Sequence, residues 1–406
     1  MSLDVVDPID EIINGAESGR SIIQDRSILH STYTPNIIHH RDAEQKQVTQ
    51  SLLPILKQHR PSNLLVYGKP GTGKTLVVRR VLDKIQKKVK TSNFPIKLLY
   101  SNSKQETTLY GLLVSFGRQL GLKDDKLPST GLSISEVFKR LCKVIEKERL
   151  NAIFVIDEID HLAHLVSKSG NDIIYQLTRA NDNEILSEGS LTIVGISNDL
   201  TFKEKLDARV ISSLGEEEIV FTNYTVEQIH KILEQRIEQA FVDKAVDDSA
   251  LNLCAAMAGR EFGDARRAID LIRVAGEIAE REQASKVVVK HIRDAAQKIE
   301  ENKEVTTIKS YSLHEKLLII GIMKSMGHTT GEIYSSYKEM CRIVGQKELT
   351  QRRVTQMLSE IELSGIISGR IVHQGIHGRT KKYKLTIFPD MVKQALSDDL
   401  TLADII

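Results

Sequence analysis

The segment Gly68-Lys69-Pro70-Gly71-Thr72-Gly73-Lys74-Thr75 constrains this chain more than any other. It fits the pattern G-x-x-x-x-G-K-[ST] at every fixed position. Residues 63–67, Asn-Leu-Leu-Val-Tyr, read as a short buried strand before it. Residues 76–88 read as a helix with apolar Leu76, Val77, Val78, Val81, Leu82 and Ile85. Strand, glycine loop and helix together form a phosphate cradle. Glycines let backbone N–H groups turn inward where a Cβ would block the approach, and the helix N-terminus adds positive potential. Lys74 is placed to neutralise β- and γ-phosphates, and the Thr75 hydroxyl to hold Mg²⁺.

Around this loop the chain alternates apolar strands with helices. Strands are predicted at 96–100, 152–156 and 191–196, and helices at 42–59, 107–120, 133–148 and 173–180. Continuous apolar strands imply a parallel sheet covered on both faces. One strand lies in sequence between the phosphate loop and the acidic strand, which is the arrangement of ATPases with an additional central strand. After Val220 the pattern becomes all-helical, with helices at 226–240, 249–258, 264–283 and 289–301. Residues 303–309 read as a polar connector. Helices at 314–326, 331–344 and 351–364 and strand candidates at 366–373 and 380–385 then describe a winged helix. The expected organisation is a mobile leader (1–22), an α/β ATPase domain (23–223), a helical lid (224–302) and a winged helix (303–406).

Composition excludes more than it identifies. The 406 residues carry a net charge of +2, and no apolar run approaches the ~20 residues of a membrane span. The N-terminus has early acids and no basic segment, so a secretory signal is not expected. Cys142, Cys254 and Cys341 show no C-x-x-C spacing and read as reduced core residues of a cytoplasmic protein. The charge distribution is more informative. Residues 303–406 hold 15 Lys/Arg against 11 Asp/Glu, and residues 371–384 hold four basic residues and no acid.

Asp157-Glu158 closes the strand Ile-Phe-Val-Ile. Carboxylates at the C-terminal end of a buried strand lie beside the phosphate site of such a sheet. Asp157 suits the water shell of Mg²⁺, and Glu158 suits activation of the attacking water; Asp160 reads as structural. Asn198 follows the strand at 191–196 and is placed either to orient water near a γ-phosphate or simply to form a turn. Arg209 reads as charge supplied to a transition state on a neighbouring subunit, or as a surface ion pair. Arg266, at the start of a lid helix, reads as a γ-phosphate sensor or as a solvated helix start.

Taken together these residues resemble the AAA+ ATPases. The finer resemblance is to the archaeal replication initiators related to origin-recognition subunit one and cell-division-cycle protein six. It rests on Tyr33-Thr34-Pro35, His40-Arg41-Asp42, the phosphate loop, Asp157-Glu158-Ile159-Asp160, Ser197-Asn198-Asp199, residues 206–214, residues 263–266 and the winged helix, and spans residues 23–385. The resemblance implies bound ATP or ADP with Mg²⁺. It implies that Tyr224 faces the adenine and that Arg236 approaches the nucleotide. It further implies an initiator-specific insertion at about 106–131, where Arg118, Lys123 and Lys126 offer positive charge to DNA.

In the winged helix, Arg352, Arg353 and Gln356 fit one exposed face of the third helix, with Val354, Met357, Leu358 and Ile361 left for the core. Arginine and glutamine pair bidentately with base edges, while lysines neutralise phosphates. Gly375 and Gly378 bracket a hairpin tip beside Arg379, Lys381 and Lys382, which read as the phosphate-gripping wing. The expected function is an ATP-switched origin-binding initiator that is nucleoid-associated and hydrolyses ATP slowly. Its expected partners are double-stranded origin DNA, a replicative helicase and paralogous initiator subunits. Two other readings stay open: a remodelling or loader ATPase whose winged helix binds protein, and an ATP-responsive transcription regulator. The second lacks any small-molecule sensor domain in the sequence.

Overall fold

The structure is a computed structural model that describes residues 21–406 apart from 31–32, 93, 107, 166–168, 182–184, 262, 325–327, 374–378, 400, 403–404 and 406. It divides into two compact units, Met1–Ile292 and Arg293–Ile406.

The first unit is built on five parallel strands: β1 (Leu64–Gly68), β2 (Ile96–Asn102), β3 (Asn151–Asp157), β4 (Ser190–Ser197) and β5 (Glu217–Phe221). Their order is β2-β3-β4-β1-β5, which places β4 as the additional central strand between β1 and β3. The sheet is apolar on both faces because both are covered. Ile153 and Val155 pack with Val77, Val78, Val81 and Ile85 of the helix Lys74–Ser92. Phe154 and Ile156 turn the other way, onto the helices Leu109–Gln119 and Ile134–Lys147. There Phe154 stacks on Phe116 with ring centroids 4.3 Å apart.

β5 is a strand that the sequence pattern does not predict. It is an edge strand with Glu217, Glu218 and Val220 exposed, so its apolar signal is only three residues long and just Ile219 and Phe221 are buried. The helix expected over 42–59 ends at Leu52 and tightens into a 3₁₀ segment, Leu53–Lys57. Pro54 lacks the N–H that would continue the α-helical ladder.

The lid follows β5 as the helices Val226–Ala240, Asp248–Glu261 and Ala265–Arg281 and the beginning of Val289–Ser310. Thr225 and Gln228 form a reciprocal capping box that fixes where the first of these starts. Residues 303–309, expected as a connector, are helical and belong to Val289–Ser310. Ile308 is fully buried in the second unit's core, and that burial extends the helix through a polar stretch.

Residues 1–20 of the expected leader lie outside the described residues. Ser21 and Ile22, assigned to that leader by sequence, are instead held on the lid. The Glu280 carboxylate accepts hydrogen bonds from Ser21 Oγ, the Ile22 and Ile23 N–H groups and the Arg26 guanidinium. Ile22 and Ile23 are buried, and the Val242 N–H donates to the Ile22 carbonyl. The segment from Ser21 is therefore held on the lid, and the chain reaches the sheet domain through residues 33–41.

The second unit contains the helices Leu313–Lys324, Thr330–Ile343 and Gln351–Leu363 and a three-stranded sheet. The strands are β6 (His328–Thr329), β7 (Ile367–His373) and β8 (Arg379–Leu385), in the order β6-β8-β7. β7 and β8 form the antiparallel hairpin of the wing, from the pair Ile367–Leu385 to the pair His373–Arg379. A closing helix, Pro389–Leu396, packs Val392 and Leu396 into the same core. Tyr337 anchors that core: its hydroxyl pairs with His314 Nδ1 at 2.8 Å and accepts the Leu349 N–H.

Replacing Glu280 by Ala leaves two backbone donors at Ile22 and Ile23 without their acceptor. The expected cost is about 1–3 kcal/mol, read as a lowered denaturation midpoint together with faster protease cleavage within residues 21–30.

Candidate functional site

A cavity of about 300 Å³ opens at the C-terminal ends of the strands, where the phosphate loop, the acidic strand, the chain segment 30–39 and the lid helices meet. Gly71, Gly73, Lys74, Thr75, Asp157, Glu158, Asn198, Tyr224, Arg236 and Arg266 all line it. The structure thus gathers ten of the sequence-predicted residues, from six separate stretches, around one cavity.

The phosphate loop needs its glycines. Gly71 and Gly73 adopt φ of +74° and +90°, a region that side chains strain to occupy. A Cβ on Gly71 would stand 1.6 Å from the Asp264 carboxylate oxygen, and one on Gly73 would stand 2.8 Å from the Tyr224 hydroxyl. Thr72 is buried and its hydroxyl donates to the Lys69 carbonyl at 2.8 Å, closing the loop on itself. Gly68 ends β1, and Pro70 lies between it and the turn.

Lys74 is buried, and its ammonium donates to the Gly68 and Lys69 carbonyls at 2.7 and 2.8 Å. Burial, reinforced by the nearby Arg266 guanidinium, pushes its pKa down to about 8, against the opposing pull of Asp157, Asp160 and Asp264. The lid reaches this loop directly. Asp264 caps the helix Ala265–Arg281 by accepting the Arg266 and Arg267 N–H groups, and the Ala265 N–H donates to the Gly71 carbonyl at 3.3 Å.

The acidic pair is shaped by its backbone. Thr75 Oγ1 donates to the Asp157 carboxylate, 3.1 Å from Oδ2, and the Glu158 N–H donates to Oδ1 at 3.0 Å. Glu158 sits at φ +54°, a conformation costing of order 1 kcal/mol for a non-glycine residue. It is held there by Ser103, whose hydroxyl bonds the Asp157 and Glu158 carbonyls. The Asp160 carboxylate accepts the Asn198 N–H at 3.1 Å, so Asp160 fixes the loop that carries Asn198.

The sequence pattern assigns no role to two groups of the site, Arg41 and Tyr100. Arg41 is almost completely buried; it donates to the carbonyls of Thr72 and Thr222 and to Glu44, and lies 3.9 Å over the Tyr224 ring. Tyr224 therefore lines the cavity with one ring face already covered by a guanidinium. Arg236 donates to the Ile28 carbonyl and lies 4.5 Å over the Tyr33 ring. Burial, followed by the hydrogen bond to Asp157, raises the Tyr100 phenol above its ordinary value, so it remains a donor.

Arg209 is not among the residues lining the cavity. It is paired with Asp207 at 2.9 Å, and hydrogen bonding with Arg209 holds the Asp207 carboxyl down at about 2. In the segment 106–131, Arg118 bonds Asp124 at 3.1 Å and Ser129 at 2.8 Å, while Lys123 is exposed. The loop beneath is pinned by fully buried Leu127.

In the second unit, Val354, Met357, Leu358 and Ile361 are buried and Arg352, Arg353 and Gln356 are exposed. Gln356 donates to Glu360 at 2.9 Å, and Arg353 stands 3.8 Å from the same carboxylate. Lys381, expected as a phosphate contact, is ion-paired with Glu362, whose carboxylate also accepts the Gly369 N–H. The Lys381 charge is therefore already balanced by that carboxylate. Lys382 is exposed. The wing tip, with Gly375 and Gly378, lies outside the described residues, as does the Arg379 side chain.

A parallel five-stranded sheet with a phosphate loop, a helical lid touching that loop and a C-terminal winged helix define an AAA+ ATPase of the winged-helix type. Family models agree in kind: "AAA domain" matches residues 57–200, "Cdc6 AAA+ ATPase-type lid domain" residues 230–297, and "CDC6, C terminal winged helix domain" residues 306–395. The chain is 68% identical over 400 residues to an ORC1-type DNA replication protein of Cenarchaeum symbiosum, covering 98% of this chain and 97% of the relative. It is 42% identical over 389 residues to one of Thermococcus kodakarensis, covering 94% and 92%. Among solved structures it is similar to the Aeropyrum pernix ORC1 protein in complex with DNA, with a TM-score of 0.84 and 38% identity over 95% of this chain and 100% of that one. The chain belongs to the ORC1/Cdc6-type archaeal DNA replication proteins, and its AAA domain makes it a nucleotide-binding protein. No helix among the described residues is long and apolar enough to cross a membrane.

The depressed Lys74 pKa has a measurable consequence. Between pH 8 and 10.5 the unfolded chain holds the Lys74 proton and the folded chain releases it, so stability from this group rises with pH across that window and is lowest below it. Wild-type protein should gain about 1–3 kcal/mol relative to Lys74→Met between pH 8 and 10.5, measured by denaturant unfolding without nucleotide. Parallel pH profiles would show that the ammonium carries no such burden.

Proposed function

We propose that this protein is an ATP-switched replication initiator that binds double-stranded origin DNA through its winged helix and the insertion at about 106–131. The observation that carries the proposal is the contact between Asp264-Ala265 and Gly71. It puts the lid helix that bears Arg266 against the phosphate loop, so nucleotide occupancy and lid position are one event. The DNA complex of the Aeropyrum pernix relative supports the DNA half of the reading.

The residues fit ATP with Mg²⁺: a glycine cradle that any Cβ would fill, a buried ammonium, a helix N-terminus, and a threonine hydroxyl in contact with a carboxylate. Bound Mg-ATP supplies a γ-phosphoryl group for transfer to water. On the protein's side, Lys74 and the loop amides neutralise phosphate charge, and Thr75 with Asp157 holds the metal's ligand shell. Glu158 accepts the proton of the attacking water, and Asn198 orients that water. Arg266 reports the γ-phosphate to the lid. Arg209, paired with Asp207 on the helix Ala208–Leu214, would be the charge offered to a neighbouring initiator subunit. Slow hydrolysis then resets lid geometry and with it the recruitment of a replicative helicase.

On the DNA side, Arg352, Arg353 and Gln356 read base edges. Lys382 and Arg379 grip phosphate, assisted by Arg118 and Lys123 of the insertion. Lys381 is assigned a smaller share because Glu362 already balances its charge.

Two experiments test this reading. Glu158→Gln should retain ATP affinity while slowing single-turnover hydrolysis by ~10²–10⁴-fold; an unchanged rate removes Glu158 from water activation. Lys382→Ala should make the slope of log affinity against log salt shallower by about 1 on specific and random duplexes alike. Lys381→Ala should change that slope less, and Arg352→Ala should weaken the specific site preferentially. Wild-type slopes for Lys382→Ala would take the wing out of the DNA interface.

A further inference from the structure

Asp157 is 5% exposed, and its carboxylate is shared among three donors from three elements. Thr75 comes from the helix Lys74–Ser92 and the Glu158 N–H from the turn after β3. The third donor is the Tyr100 hydroxyl, which bonds Oδ2 from β2. β2 and β3 are parallel neighbours in which Tyr100 is in register with Val155 and Asn102 with Asp157. The phenol therefore reaches the carboxylate from two residues back along the edge strand.

Tyr100 is itself fixed on both sides. The Arg79 guanidinium, one turn beyond Thr75 on the same helix, lies 4.2 Å over its ring. On the open edge of β2, the Gln119 side-chain amide pairs with the Tyr100 backbone in both directions: the Tyr100 N–H donates to Gln119 Oε1 and Gln119 Nε2 donates to the Tyr100 carbonyl, each at 3.0 Å. An edge-strand tyrosine held in place only for packing has no need of a hydroxyl aimed at a buried carboxylate.

We propose that Tyr100 is a positioning residue: its hydroxyl fixes the orientation of the Asp157 carboxylate toward Thr75 and so sets the affinity of the site for the divalent cation that accompanies nucleotide. The proposal rests on the reading of Asp157 given under the proposed function. A hydrogen bond from a neutral hydroxyl to a carboxylate is among the stronger protein hydrogen bonds. Without it, Oδ2 keeps only the 3.1 Å contact with Thr75, and the carboxylate is held by two donors instead of three. Loss of a hydrogen bond that orients a metal-site ligand typically costs 10–100-fold in metal affinity.

The test uses full-length protein and a fluorescent ADP analogue, titrated with and without Mg²⁺ for the wild type, Tyr100→Phe and Asp157→Asn. Phenylalanine keeps the ring under Arg79 and the Gln119 backbone pair, and matched thermal midpoints check that the fold is kept. Tyr100→Phe should bind the analogue in EDTA within about twofold of wild type, while the Mg²⁺ concentration for half-maximal tightening rises roughly tenfold. Equal losses with and without Mg²⁺ would mean that Tyr100 acts only as structure, and the proposal fails. If Asp157→Asn shifts the Mg²⁺ requirement and Tyr100→Phe does not, the proposal fails while the Asp157 reading stands. If neither variant shifts it, the assignment of Asp157 falls as well.

Discussion

The buried guanidinium of Arg41 ties together the phosphate loop, the entry to the lid and the ring of Tyr224. It bonds a carbonyl of the phosphate loop at Thr72 and a carbonyl of the hinge into the lid at Thr222, and it covers the ring of Tyr224. It belongs to the segment that begins clamped on the lid by Glu280 and ends at the helix Asp42–Leu52. Breaking a buried, fully hydrogen-bonded charge leaves its partners desolvated and unpaired. The segment clamped by Glu280, the phosphate loop and the entry to the lid at Thr222 are therefore bound into one connected set of contacts.

That set gives the site its electrostatic character. The Lys74 ammonium sits inside the loop among carbonyls, with Arg266 pressing against it and Asp157, Asp160 and Asp264 opposing. A phosphate group at this loop meets a cation whose proton is held weakly, beside a lid helix whose N-terminal turn already touches Gly71. The proposed coupling of binding to the lid needs no long relay, because loop and lid are in direct contact. The acidic pair is held separately, by Ser103 at the strained Glu158 backbone and by Tyr100 at Asp157.

The sequence made the loop, the acidic strand, the parallel sheet and the winged helix legible because each has a local pattern. Glycines need special φ, strands buried on two faces are continuously apolar, and the recognition helix separates Val354, Met357, Leu358 and Ile361 from Arg352, Arg353 and Gln356 by helical period. What escaped has no such period. β5 is an exposed edge with two adjacent glutamates. Tyr100 and Asp157 are 57 residues apart, and Arg41 and Thr222 are 181 apart. Lys381 reads as a free basic residue until the fold brings Glu362 to it from a helix 19 residues away. Sequence reveals which groups are available, and only the three-dimensional pairing decides which remain so.

The central claim is that nucleotide occupancy and lid position are a single event at the contact between Gly71 and Asp264-Ala265. Amide hydrogen exchange on the full-length protein during an ADP titration tests it most directly. Protection in the phosphate loop and in residues 263–268 should change together, with one concentration dependence. A phosphate loop that becomes protected while residues 263–268 exchange as before would contradict the account.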